Sequence, residues 1–176
     1  MKSLVKFVGA LALLLPFAAQ AAEEWGIEHE KTARFEAKVV DILCELTGDC
    51  PADCGGGKRQ LGLLRDDGRL ILPTKNFDIF AGAANDLQPF CNKKIIADGL
   101  MIENPKMPLF TLQFKKLAPD GKWHRANWFI RDWAKANNVK RDSDTAEQWY
   151  YNDKKIAETI KRDGVYGIPG LKPPKE

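Results

Sequence analysis

Four cysteines are the residues of this sequence that most clearly could do chemistry. Three of them follow the spacing Cys44-x5-Cys50-x3-Cys54, and Cys91 comes much later in the chain. Such a set can form two disulfides, bind a metal ion through thiolates, or act in thiol–disulfide exchange. These three possibilities make different demands on spacing and on the neighbouring residues.

The spacing and the local charge favour disulfides. Zinc sites and redox centres usually contain cysteines separated by two residues, whereas Cys50 and Cys54 are separated by three. The acidic Asp53 also disfavours a thiolate at its neighbour Cys54. Two structural disulfides are therefore the preferred interpretation, with their pairing left open. A metal site and a redox centre remain the alternatives.

A glycine run after the third cysteine could bind an anion. Gly55-Gly56-Gly57-Lys58-Arg59 combines successive backbone N–H groups with two cations, as anion-binding nests do. The run is not a P-loop, because neither Ser nor Thr follows the lysine and no helix is expected after it. A flexible linker within the cysteine loop is the simpler interpretation, and the ligand-loop hypothesis stays open.

The histidine content bears on catalysis. Only His29 and His124 occur, 95 positions apart, and no Cys-x-x-Cys-His segment could attach haem. The sequence therefore presents no set of nucleophile, base and acid that supports a hydrolase. We interpret the chain as non-enzymatic, and we expect neither a cofactor nor a resident metal.

The first 21 residues have the three parts of a secretory signal peptide. Lys2 and Lys6 give a basic start, an apolar run covers 7–19, and Ala19-Gln20-Ala21 is a small-x-small cleavage site. The apolar run is shorter than the roughly 20 residues that a membrane span needs. We therefore expect Sec-type export to the periplasm, and no stable membrane insertion after cleavage.

Export changes the interpretation of both charge and cysteines. Loss of Lys2 and Lys6 leaves 25 basic and 24 acidic residues, so the mature net charge is about +1, which does not favour nucleic acid as a ligand. An even number of cysteines in an oxidising compartment is typical of disulfide-bonded proteins. A periplasmic protein partner or a small ligand is the expected binding partner.

The elements that would position these residues follow a recognisable order. An arm over 22–31 precedes a barrel over 32–118, and a helical extension with a Gly/Pro tail covers 119–176. Alternating apolar residues and turn signals such as Asp67-Gly68 indicate three strands, a helix and two further strands. That is the order of a five-stranded OB-like barrel, in an α+β or mainly β fold. The predicted strands are 32–44, 60–64, 69–73, 94–102 and 109–114, and the helix is 79–87, capped by Asn76 or Asp78.

Three segments also carry a resemblance to a known class. VVDILC, CGGGKRQLGLLRDDGRLIL and CNKKIIADGLMI resemble segments of small exported bacterial OB-fold-like proteins. In that class a strand ends in Cys, a Cys-bearing loop follows, and a "GLL…DG…L" hairpin continues the chain. The resemblance covers residues 32–115. It implies the OB-like fold and export, but no single activity.

The C-terminal third predicts two helices and an apolar tail. Helical spacing of apolar residues indicates helices over 126–137 and 144–162, the second ending before Gly164. Trp133 and Trp149 are expected to pack the two helices onto the barrel. The tail after Gly164 has too many glycines and prolines for regular structure, and no scaffold of its own. Its apolar residues, including Tyr166, Ile168 and Leu171, are therefore a candidate partner surface.

These observations lead to one expected function and one alternative. The expected function is a non-enzymatic exported binding module, or an accessory subunit of a periplasmic assembly, stapled by disulfides. The alternative is a redox or metal-handling protein that uses Cys44, Cys50, Cys54 and Cys91.

Overall fold

One seven-stranded sheet forms the centre of the protein. The structure, a computed structural model, describes residues 21–26, 28–75, 82–104, 108–168, 170–171 and 174. The predicted signal peptide before Ala21 and the start of the predicted helix 79–87, with both of its proposed caps, lie outside these residues. The strands are β1 (Glu30–Asp41), β2 (Leu61–Leu64), β3 (Leu70–Ile71), β4 (Pro73–Lys75), β5 (Lys94–Ile102), β6 (Leu109–Leu117) and β7 (His124–Arg125).

The sheet is largely antiparallel. Its strands follow the order β3-β2-β1-β5-β6-β4, and β7 pairs with β6. Only the β4–β6 pair is parallel among the described strands. Helices flank this sheet, so the α+β class is confirmed, whereas closure into a five-stranded OB-like barrel stays a prediction. The helices are α1 (Ile42–Thr47), α2 (Ala84–Leu87), α3 (Trp128–Ala136), α4 (Asp144–Glu147), α5 (Trp149–Asn152) and α6 (Lys154–Asp163), with a 3-10 turn at Gln88–Phe90.

The first strand ends earlier than its β-branched composition predicts. The prediction that it runs to Cys44 is wrong, because α1 begins at Ile42. Asp41 caps this helix by accepting a hydrogen bond from the backbone N–H of Leu43 at 2.9 Å. Gly48 ends it in a left-handed conformation with φ of 78°. Short-range capping therefore overrides β propensity at this point.

The predicted third strand is two short strands at opposite ends of the sheet order. Leu70–Ile71 pairs with β2, and Pro73–Lys75 pairs in parallel with β6. Only Leu72 separates them, so the chain changes its pairing partner within one residue. The predicted fourth and fifth strands are confirmed, and β6 continues beyond its predicted end to Leu117.

The helical extension contains more and shorter helices than predicted. The helix over 126–137 is confirmed as α3, but the predicted helix 144–162 is three helices, α4 to α6. Asp153 interrupts it, because its extended backbone and side chain cap a new helix by accepting from the Ile156 N–H at 3.0 Å. Gly164 then ends α6, as predicted.

Two clusters of buried side chains form the core of the protein. The first lies between the sheet and α2, and it includes Val39, Leu87, Phe110 and the half-cystine Cys54. The second lies within the extension, where Trp133 and Trp149 pack with each other instead of on the sheet. Among the helices that the structure describes, none is long and apolar enough to cross a membrane.

Candidate functional site

A cleft of about 790 Å³ opens between the first half of β1 and the hairpin that joins β2 to β3. This volume lies within the range of about 300–1,000 Å³ that is usual for ligand sites. The cleft combines apolar and charged side chains. Its lining residues are Lys31, Thr32, Ala33, Arg34, Phe35, Arg65, Arg69, Leu70, Ile71, Leu72, Met101, Glu103 and Pro108.

The floor of the cleft is apolar and continuous with the core. Phe35, Ile71 and Met101 are half-buried, and all three pack against the core cluster. The ring of Phe35 meets the buried ring of Phe110 edge to face, with centroids 4.8 Å apart. Because the core fixes these side chains, the floor is a rigid surface for an apolar group.

Cations dominate the rim of the cleft. The guanidinium of Arg65 lies 5.2 Å from the ring centroid of Phe35 and 3.7 Å from Asp67, while Arg69 binds Asp67 at 2.7 Å. Lys31 binds Glu103 at 2.7 Å. These partners stay ionised, because hydrogen bonds from Arg69 and Lys31 lower the pKa values of Asp67 and Glu103 respectively.

The charge balance of the cleft is positive. Four cations line it against the single carboxylate of Glu103. Asp67 and Asp98 pair with lining arginines from outside the cleft, and counting both still leaves one positive charge in excess. The site therefore favours a ligand with negative charge beside an apolar part.

One edge of β1 borders the cleft without a neighbouring strand. β2 pairs with Lys38–Asp41 only, while β5 pairs along the opposite edge from Glu30 to Lys38. The N–H and C=O of Val39 bond to Lys93 and Asn92 on the β5 side. Because these groups alternate along a strand, those of Thr32 and Glu36 point to the other edge, where none of the described strands covers them.

The prediction of two disulfides is confirmed. Cys44 pairs with Cys50, and Cys54 pairs with Cys91. The second bond joins the glycine loop to the end of the 3-10 turn, with a buried Cys54. Since all four cysteines are bonded, thiolate metal binding or thiol redox chemistry would first require reduction. No cluster of metal-ligating side chains occurs among the described residues.

The glycine loop uses its own polar groups internally. Arg59 binds Asp41 at 3.0 Å and Asp49 at 2.6 Å, which raises its pKa. The N–H groups of Gly56, Gly57 and Lys58 donate to Asp53, Gln88 and Gly55 respectively. These contacts occupy three of the backbone donors and the Arg59 guanidinium that the ligand-loop hypothesis for Gly55–Arg59 requires, so we leave the loop out of the candidate site.

The C-terminal tail exposes the apolar side chains that the sequence singles out. Tyr166, Ile168 and Leu171 are each about half exposed. The tail makes turns after α6 and lies outside both buried clusters. Its role as a partner surface stays a prediction.

The two histidines lie in different environments. His29 is exposed beside Glu28, whereas the ring of His124 packs against Trp128 with centroids 5.5 Å apart.

The N-terminal arm is hydrogen-bonded to the sheet at Glu23. The backbone C=O of Glu23 accepts from the buried Gln113 side chain at 2.7 Å, and its N–H donates to the same side chain at 2.9 Å.

The cleft is the feature that sequence reasoning missed. Arg65 and Arg69 flank the Asp66-Asp67-Gly68 turn, and that pairing of cations around a hairpin was the one local signal. Comparisons with protein-family models, with curated proteins and with solved structures found no significant match to this chain. The geometry of the cleft therefore carries the functional argument.

Proposed function

We propose that this chain is an exported, non-enzymatic binding protein of the periplasm, a disulfide-stapled OB-like barrel that holds its ligand in the cleft between β1 and β3. The cleft is the single observation that carries the proposal. Its apolar floor and positive rim suit a negatively charged ligand that also has an apolar part. An accessory subunit of a periplasmic assembly would use the same surface for a partner protein.

The strand order supports the OB-like part of the proposal. β1 lies between β2 and β5, and α2 follows β4 and precedes β5. β3 and β4 flank Leu72 and lie at the two ends of the sheet order, paired with β2 and β6 respectively, as one bent third strand of a closed barrel would be. OB-folds bind ligands through one barrel face and its loops.

The disulfides support the location. Two disulfides indicate that the protein matures in an oxidising environment outside the cytoplasm. Intact mass spectrometry of the exported protein tests this point. We expect the mass of residues 22–176 less four hydrogens, and a chain that keeps residues 1–21 or free thiols would contradict it.

Photo-crosslinking in cells tests the binding function. We would place a photoreactive amino acid at Leu70, which lines the cleft, and at the exposed Glu158 on α6 as the matched control. We expect a defined adduct from Leu70 that is lost when Arg65→Ala and Arg69→Glu are added. Equal labelling at both positions, or none at Leu70, would contradict a ligand site in the cleft.

A further inference from the structure

We infer that the ligand of the cleft is an extended segment of a partner protein that adds as a strand to the edge of β1 that none of the described strands covers, and that it carries acidic residues at alternate positions. The inference rests on the proposed binding function and names its ligand class. Three observations support it: the open edge, the alternation of surfaces in the cleft, and the charge.

The open edge of β1 supplies the backbone contacts. Thr32 and Glu36 direct their N–H and C=O groups to the side where none of the described strands pairs with them. Strand edges of this kind pair readily with another extended chain. The cleft lies along this edge, between it and β3, so a bound strand would lie beside β1.

The two surfaces of the cleft match the alternation of a strand. Successive side chains of an extended peptide point in opposite directions. The peptide side chains on one side would contact the apolar floor at Phe35, Ile71 and Met101. Those on the other side would reach the cations of the rim.

The positive charge of the rim favours acidic residues at the peptide positions whose side chains face it. Arg65 and Arg69 share the single carboxylate of Asp67, which lies 3.7 Å from one guanidinium and 2.7 Å from the other. The guanidinium of Arg65 lies over the ring of Phe35. It has more N–H donors than its one contact with the Asp67 carboxylate uses. A second carboxylate supplied by the peptide would satisfy this guanidinium in a bidentate manner.

Peptide binding tests the inference directly. The probe is a peptide of roughly 8 residues that alternates valine and glutamate, the length of a typical strand. We expect the mature, oxidised protein to bind it, and a peptide of valine and lysine to bind at least about 100-fold more weakly. Methylation of the alternate backbone nitrogens that face β1 should weaken binding by at least about 10-fold, because it removes the strand contacts.

Protein variants locate the binding. Arg65→Ala should weaken binding of the valine–glutamate peptide by about 10-fold, and Arg69→Glu by a similar factor. Lys161→Glu on the exposed face of α6 is the charge-matched control, and it should leave the affinity unchanged. Near-identical circular dichroism spectra of the variants would show that each is folded.

The outcomes separate this inference from the proposed function. No binding of the valine–glutamate peptide, equal binding of the lysine peptide, or no effect of backbone methylation would overturn the inference. A fatty-acid-like adduct at Leu70 in the crosslinking experiment would overturn it as well, yet it would leave the cleft as the binding site. Failure of all crosslinking at Leu70 would instead overturn the proposed function.

Discussion

The ammonium group of Lys115 lies 2.6 Å from Oδ1 of Asp86, and both side chains are completely buried. Lys115 also donates to the backbone oxygen of Arg125 at 3.0 Å and lies over the ring of Trp128. The same Asp86 oxygen accepts from the backbone N–H of Trp128 at 3.2 Å. This network joins β6 and α2 to the start of α3, so it fixes the helical extension to the sheet.

Breaking this pair on one side should strongly destabilise the protein. Lys115→Met removes the ammonium group that neutralises the buried Asp86 carboxylate, and we expect a loss of about 3–5 kcal/mol in the free energy of unfolding, measured in urea. Asp86→Asn should cost a similar amount. The double variant should lose clearly less than the sum of the two single losses, because it leaves no unpaired buried charge.

An exposed pair provides the control for this prediction. Arg162 and Asp163 bind each other on the surface of α6, and replacing both should change stability little, because solvent screens them. Strict additivity of the Lys115 and Asp86 substitutions would show that the two groups do not interact in the folded protein.

The two disulfides should contribute unequally to stability. Cys54 and Cys91 are 37 positions apart, whereas Cys44 and Cys50 are 6 apart. Chain-entropy estimates give about 4 kcal/mol for the longer loop and about 2 kcal/mol for the shorter one. Urea unfolding of the two paired Cys→Ala variants measures the difference. Equal losses, or a larger loss for the Cys44–Cys50 pair, would contradict this account.

The stability of the protein should fall as the pH drops through about 6.5 because of His124. Burial, followed by the nearby charges of Lys115, Arg131 and Lys122, lowers the pKa of His124 in the folded protein. Between the folded and unfolded pKa values the unfolded chain binds more protons, so acid favours unfolding.

Substitution of this histidine should remove that part of the pH dependence. We expect His124→Gln to flatten the slope of unfolding free energy against pH between about 5 and 7. His29→Asn is the control, since His29 is exposed and keeps a left-handed backbone that Asn tolerates. An unchanged slope in His124→Gln, or an equal change in the control, would argue against His124 as the group responsible.

The sequence predicted the parts of the fold that local patterns determine. β5 and β6 follow from apolar residues bounded by turn signals, and the disulfides follow from cysteine number and export. The errors at Asp41 and Asp153 arise because the same residue type is compatible with a strand, a helix surface or a cap. Only the hydrogen bond that each carboxylate accepts decides among these.

Contacts between residues that are far apart in the chain could not be predicted from the sequence. Lysine is rarely fully buried unless it is paired, and Lys115 is buried because Asp86, 29 positions away, neutralises it. The cleft likewise brings residues 31–35 next to 65–72 and Met101. Such proximity depends on strand order and register, which one sequence without its pairing partners does not specify.

The most direct test of the central claim is an NMR titration of the isotope-labelled mature protein with the valine–glutamate peptide. We predict that the largest amide shifts occur at Thr32 and Glu36 on β1 and over residues 65–72, with no change along α6. Shifts confined to α6 or to the tail after Gly164, or no shifts at all, would contradict a peptide site in the cleft.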